Sequence, residues 1–170
     1  RVCQTLEEEG VLDNTVIFFA SDHGEMLGDH NRIQKGCPYK EALTVPAAIR
    51  HPDYLYRRVN NSPIEITDLT ATMLDAAGLD SQKELSKQWP FYNDIIPSRS
   101  LMPIVRGEVE SVRDFTYSES QANWRAIQTD KWKYIRWLDF ENPGEVQEEL
   151  FDLDNDPDEQ MDVAADYPET

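Results

Sequence analysis

The chain of 170 residues is long enough for a domain with its own core, and it carries 33 acidic residues against 16 basic ones, a net charge of −17. Acid spread over a solvated surface repels nucleic acid and anionic membranes at long range, so neither is expected as a partner. Cys3 and Cys37 form neither a CxxC nor a zinc pattern; they read as structural or free thiols and do not fix a redox compartment.

Arg1 opens in what reads as mid-helix, with Val2, Leu6 and Val11 on one side and Gly10 as a C-terminal stop, the pattern expected of a truncated chain. Residues 15–20 are a continuous apolar run with Val, Ile and two Phe, as in a central strand covered on both faces. Leu43 to Ile49 is a second apolar segment, closed by His51-Pro52; Pro46 leaves only its later part free to pair regularly. Thr67 or Asp68 can cap a helix running to Gly78, with Leu69, Met73, Leu74 and Ala77 as its buried stripe. Residues 79–98, with Trp89, Pro90 and Pro97, read as a polar surface excursion. Short strands follow at Phe115–Tyr117, Trp124–Ile127 and Trp132–Trp137, with a turn at Gln128–Lys131 and another strand at Glu149–Leu153 ended by Asn155-Asp-Pro157. Aromatic residues alternate with Arg125, Lys131, Lys133 and Arg136 there, but packing of a small sheet suits them better than base stacking, given the net charge. The order predicts an α/β layer over residues 1–97 and an antiparallel-sheet subdomain over 98–170.

Chemistry concentrates where the first strand ends. Asp22 and His23 are adjacent metal-ligand side chains at the C-terminal end of a strand, where open α/β sheets bind ligands, and Gly24 lets the backbone turn. Lys35 arrives twelve residues after His23. A carboxylate, an imidazole and an ammonium together suggest a divalent cation and an anionic oxyester; oxygen-rich sites suit calcium or magnesium, and imidazole also admits manganese or zinc. Asp29 and Glu25 are candidates to orient His23, and Glu41 to pair with Lys40 or Arg50. His30 is a general acid, a substrate contact or a residue that only shapes the loop between His23 and Lys35.

The chain resembles the type I sulfatases of the alkaline phosphatase superfamily. The resemblance rests on Asp13-Asn-Thr-Val-Ile-Phe-Phe-Ala-Ser-Asp-His-Gly24, Gly28-Asp-His30, Lys35-Gly-Cys-Pro-Tyr-Lys-Glu-Ala42, Val45-Pro46, Asp68 to Gly78, Ser100-Leu-Met-Pro103 and Glu149 to Glu159, in the family's order. It implies an alkaline-phosphatase-like α/β fold, present in part, with a small C-terminal antiparallel sheet. It also implies Asp22 and His23 as ligands of the catalytic cation, usually calcium, and Lys35 as a substrate-contacting lysine. The family's nucleophile is a formylglycine made in a Cys/Ser-x-Pro-x-Arg motif. No cysteine or serine here fits that motif, so the nucleophile is expected in an N-terminal half outside this chain, and the fragment alone is expected to be inactive and to self-associate. The implied substrate is a sulfated small molecule or glycan, and the family favours an extracytoplasmic location. The rivals are a phosphonate monoester or phosphodiester hydrolase of the same superfamily, and a non-catalytic module binding calcium or a glycan.

Overall fold

The computed structural model describes residues 1–55, 57–88, 96–120, 123–139 and 146–168; the expected excursion at Trp89 and Pro90 lies outside them. By contacts the chain divides into Arg1–Ala20 with Pro46–Val112, and Ser21–Val45 with Arg113–Thr170. The candidate-site segment therefore groups with the later sheet.

In the first unit, α1 (Val2–Glu8) ends as expected at Gly10, whose φ of +69° is open to glycine at little steric cost. The Val11 N–H reaches back to the Leu6 carbonyl at 2.9 Å and closes the helix end. Strand β1 (Ile17–Ala20) pairs antiparallel with β2 (Ala47–Arg50), which begins directly after Pro46. The expectation that this strand is covered on both faces is not met: Ile17 and Phe18 are half-buried, and Phe19 is 64% exposed. Among the described residues β1 has β2 as its one strand neighbour, which leaves that apolar ring in the open.

Helix α3 (Ile66–Ala76) also differs from expectation. Its N-cap is Glu65, in a reciprocal capping box with Asp68, so neither Thr67 nor Asp68 is the cap. Its buried face is Asp68, Ala71 and Thr72, while Met73 is 48% exposed. Polar residues win this face because it satisfies the backbone of a distant segment. Asp68 Oδ1 accepts the Arg99 N–H at 2.7 Å, and Thr72 Oγ1 accepts the Leu101 N–H at 2.9 Å. The Ser100 hydroxyl donates to Asp75 at 2.6 Å. Leaving a buried amide unpaired would cost roughly 1–3 kcal/mol, enough to outweigh an apolar contact there. Short helices α4 (Ser81–Gln88) and α5 (Met102–Val105) complete the unit.

The second unit is a four-stranded antiparallel sheet, β3 (Thr116–Ser120), β4 (Trp124–Gln128), β5 (Trp132–Trp137) and β6 (Gln147–Asp152), in sequential order. The expected strands and the turn before Trp132 are all present. Trp124 faces Trp137 and Ala126 faces Ile135 across β4 and β5. These side chains form one core with Phe151 from β6 and with Met26, Cys37, Tyr39 and Ala42 from the segment that carries the candidate site. Short helix α2 (Lys40–Leu43) lies in that segment. Ile135 is fully buried, worth about 1.5–3 kcal/mol of apolar transfer. Both cysteines are free; Cys3 is exposed and Cys37 lies in this core.

The Tyr39 hydroxyl donates to Glu149 Oε2 at 3.1 Å. Burial first, then the Glu149 charge, pushes its phenol from 10.0 up to about 12. A raised pKa contributes stability below the unfolded value that is lost as pH climbs through the folded one. Between pH 10 and about 12 the unit should therefore lose stability, and Tyr39→Phe should flatten part of that loss. Tyr134, raised likewise to about 12, and Tyr117, raised by burial and its bond to Glu119, keep the remainder. Melting temperatures of the two proteins across this range check it; parallel curves would show that Tyr39 carries none of the effect.

Candidate active site

Asp22 and His23 follow the last residue of β1 on a turn tied by its own side chains. Ser21 Oγ donates to the His23 carbonyl at 2.9 Å, and the His23 N–H donates to Asp22 Oδ1 at 3.0 Å. The ring is set by Gly24: His23 Nδ1 lies 2.8 Å from the Gly24 carbonyl. A carbonyl only accepts, so the proton sits on Nδ1 and Nε2 keeps its lone pair.

Gly24 in turn is fixed by α2, its N–H donating to the Ala42 carbonyl at 2.8 Å. The helix comes so close that a Cβ at position 24 would lie 1.9 Å from the Glu41 carbonyl oxygen. Two further backbone pairs nest inside this closure, Met26 N–H to Gln34 O at 3.1 Å and Gly28 N–H to Arg32 O at 2.9 Å. Among the described residues, four of the five non-glycine residues with positive φ fall in this loop: Leu27, His30, Asn31 and Gln34. Such backbone costs on the order of 1–3 kcal/mol per residue and concentrates where a loop must hold a set shape.

Lys35 is brought to the imidazole, its Nζ in close contact with His23 Nε2. Asp22 Oδ2 lies 3.5 Å from the same nitrogen, and the two side chains are exposed, 85% for Asp22 and 38% for His23. The Asp22 carboxyl is held below the ordinary 3.8 by a backbone hydrogen bond first, then by His23, with a smaller pull from Lys35. An ionised oxygen and an imidazole lone pair thus meet at one open point, and a positive charge, the Lys35 ammonium, already faces it. This donor pair fits two positions around a divalent cation. No group of three or more such donors occurs among the described residues.

The other candidates fall elsewhere. His30 stacks flat on Tyr39, centroids 4.0 Å apart and planes within 5°, and its Nε2 lies 3.2 Å from Gln160 Nε2. Glu25 accepts the Gln34 N–H at 2.5 Å, so the Gly24 carbonyl, not Glu25 or Asp29, orients His23. Glu41 pairs with neither Lys40, which bonds Asp158 at 2.6 Å, nor Arg50, which donates to the Leu12 carbonyl at 3.1 Å. Its Oε2 is buried without a hydrogen-bond partner among the described residues. Sequence reasoning missed Lys133 and Glu159, a fully buried ion pair. Their one signal was a lysine on the otherwise apolar face of Ile135 and Trp137.

The family described as Sulfatase matches residues 1–79. Arylsulfatase K of Bos taurus is 30% identical over 99% of this chain, and an arylsulfatase of Clostridium perfringens 33% identical over 94%. The chain spans 31% of the length of each. The solved structure of a phosphonate monoester hydrolase from Silicibacter pomeroyi matches 98% of this chain and 34% of its own, at 26% identity and a TM-score of 0.79. Fold and sequence together place the chain in the alkaline phosphatase superfamily. Within it the chain belongs to the sulfatase family, of which it is a partial domain about a third as long as its relatives.

Proposed function

We propose that the full-length protein is a sulfuric ester hydrolase and that this chain supplies two cation ligands, Asp22 and His23, and a charge-stabilising lysine, Lys35. The convergence of an Asp22 oxygen, His23 Nε2 and Lys35 Nζ on one exposed point carries this reading. In it, a formylglycine from outside this chain would be the nucleophile, and Asp22 and His23 would be two ligands of a cation, calcium by preference, that would supply Lewis-acid chemistry to the sulfate and the nucleophile. His23, locked by Gly24 in the Nδ1–H form, keeps Nε2 free to coordinate, and Asp22 supplies a hard anionic oxygen. The Lys35 ammonium turns from the imidazole towards the sulfate oxygens or the leaving oxygen, where negative charge grows. The substrate is a sulfated small molecule or glycan.

The likeness to a phosphonate monoester hydrolase supports a second reading, in which the same residues serve a phosphonate ester. The full-length protein assayed with matched aryl sulfate and aryl phosphonate esters decides between them; faster sulfate turnover is expected. Asp22→Asn and His23→Ala should each lower activity and calcium affinity by at least the roughly 10–100-fold that losing even an outer partner of a metal ligand entails. Calcium binding that survives both changes would remove these residues from the metal site. Binding without turnover of either ester would favour a non-catalytic module.

A further inference from the structure

The proposed site uses neither member of the buried Lys133–Glu159 pair, and nothing about that pair is economical if it only fills space. Both side chains are almost wholly buried, and Lys133 Nζ lies 2.8 Å from each Glu159 oxygen. Burial drives the Lys133 ammonium below its ordinary pKa, while Glu159 opposes that shift. A buried ion pair is seldom better for stability than apolar residues of the same shape, so retaining one asks for another reason. Glu159 itself sits at a φ of +56°, a backbone a non-glycine residue adopts under constraint.

The reason lies in a third bond. Glu159 Oε2 also accepts the backbone N–H of Lys40 at 3.0 Å, the first residue of α2. From there a continuous path leads to the candidate site. Helix α2 presents the Ala42 carbonyl to the Gly24 N–H at 2.8 Å, and the Gly24 carbonyl holds His23 Nδ1 at 2.8 Å. Lys35 lies on the short stretch between the loop and the same helix start. We infer that Glu159, held by Lys133, is a positioning residue: it pins the start of α2 to the sheet and so sets the place of the Gly24 carbonyl and the tilt of the His23 ring. The exposed Lys40–Asp158 pair beside it is screened by solvent and has no such part. The link to catalysis rests on the sulfatase reading; the mechanical link to Gly24 does not.

The test uses the full-length protein and two double variants whose cores are both uncharged. Lys133→Met with Glu159→Gln keeps a neutral acceptor for the Lys40 N–H, whereas Lys133→Met with Glu159→Met does not. Amide exchange at Gly24 should stay near wild type in the first and quicken roughly ten- to a hundredfold in the second, the loss expected for one charge-assisted hydrogen bond. Turnover of an aryl sulfate should follow the same order through kcat, with KM little changed. Should the second variant not fold, Lys40→Pro removes the donor alone at a helix position that accepts proline, after Tyr39 at an extended ψ of 159°. Lys40→Ala keeps the N–H and should leave Gly24 exchange unaltered. Equal Gly24 exchange in both doubles, or in Lys40→Pro and Lys40→Ala, overturns the inference. Exchange that responds as expected in a protein that cleaves no sulfate ester would uphold the positioning and defeat the sulfatase reading.

Discussion

Replacing Gly24 by alanine is expected to disable the site and lower stability by about 3 kcal/mol, the upper end of what an extra methyl in a packed place costs. The added Cβ would stand 1.9 Å from the Glu41 carbonyl oxygen and 2.9 Å from its carbon. Both are backbone atoms of α2, so no side chain can swing aside. Either α2 retreats or the Gly24–Ala42 hydrogen bond breaks, and in both cases the carbonyl that orients His23 moves. Gly36→Ala is the matched control, because among the described residues nothing lies within 4 Å of the Cβ it would add. Denaturant midpoints and calcium titrations of the full-length protein read the effect. A Gly24→Ala variant as stable and as active as Gly36→Ala would show that the close approach does not constrain the turn.

Lys35→Ala should produce two changes of opposite sign. Turnover of a sulfate ester should fall on the order of a hundredfold, the usual loss when one donor to developing negative charge is removed. KM should move much less, since the ammonium is proposed to meet charge that grows in the transition state. Cation affinity should rise, because the ammonium lies against the His23 nitrogen that a cation would use. A merely exposed lysine would give neither change. Turnover that holds near wild type in the alanine variant would remove Lys35 from the reaction.

Local features were legible in the sequence wherever local physics determines them. The Gly10 stop, the start of β2 after Pro46 and the strands β4 and β5 with their turn all follow from residues within a few positions of one another. The adjacency of Asp22 and His23 on a turn is of the same kind. What the sequence hid depends on partners far along the chain. The buried face of α3 is polar because Asp68 and Thr72 serve amides at Arg99 and Leu101. A pattern of apolar spacing assigns such residues to solvent, and it chose Leu69 and Met73 instead. Lys133 read as one more basic residue because its counter-charge, Glu159, lies across a turn-rich stretch and beyond β6. The approach of Lys35 to His23 depends on the folding of the loop between them, which four left-handed residues shape and no periodicity announces.

The concentric closures of that loop bear on how its length can vary. The innermost pair joins Gly28 and Arg32, the next Met26 and Gln34, and the outermost Gly24 and Ala42. Residues inserted near Asp29–Asn31 would lengthen only the innermost span, and each doubling of a flexible span adds about 0.6 kcal/mol of closure entropy. The outer pairs would keep their register, so His23 would hold its place while the tip took on new side chains. An insertion between Lys35 and Lys40 would instead slide the lysine relative to α2 and detach it from the imidazole. Within one loop, the rim is thus free to change its length and side chains, and the base has a fixed length.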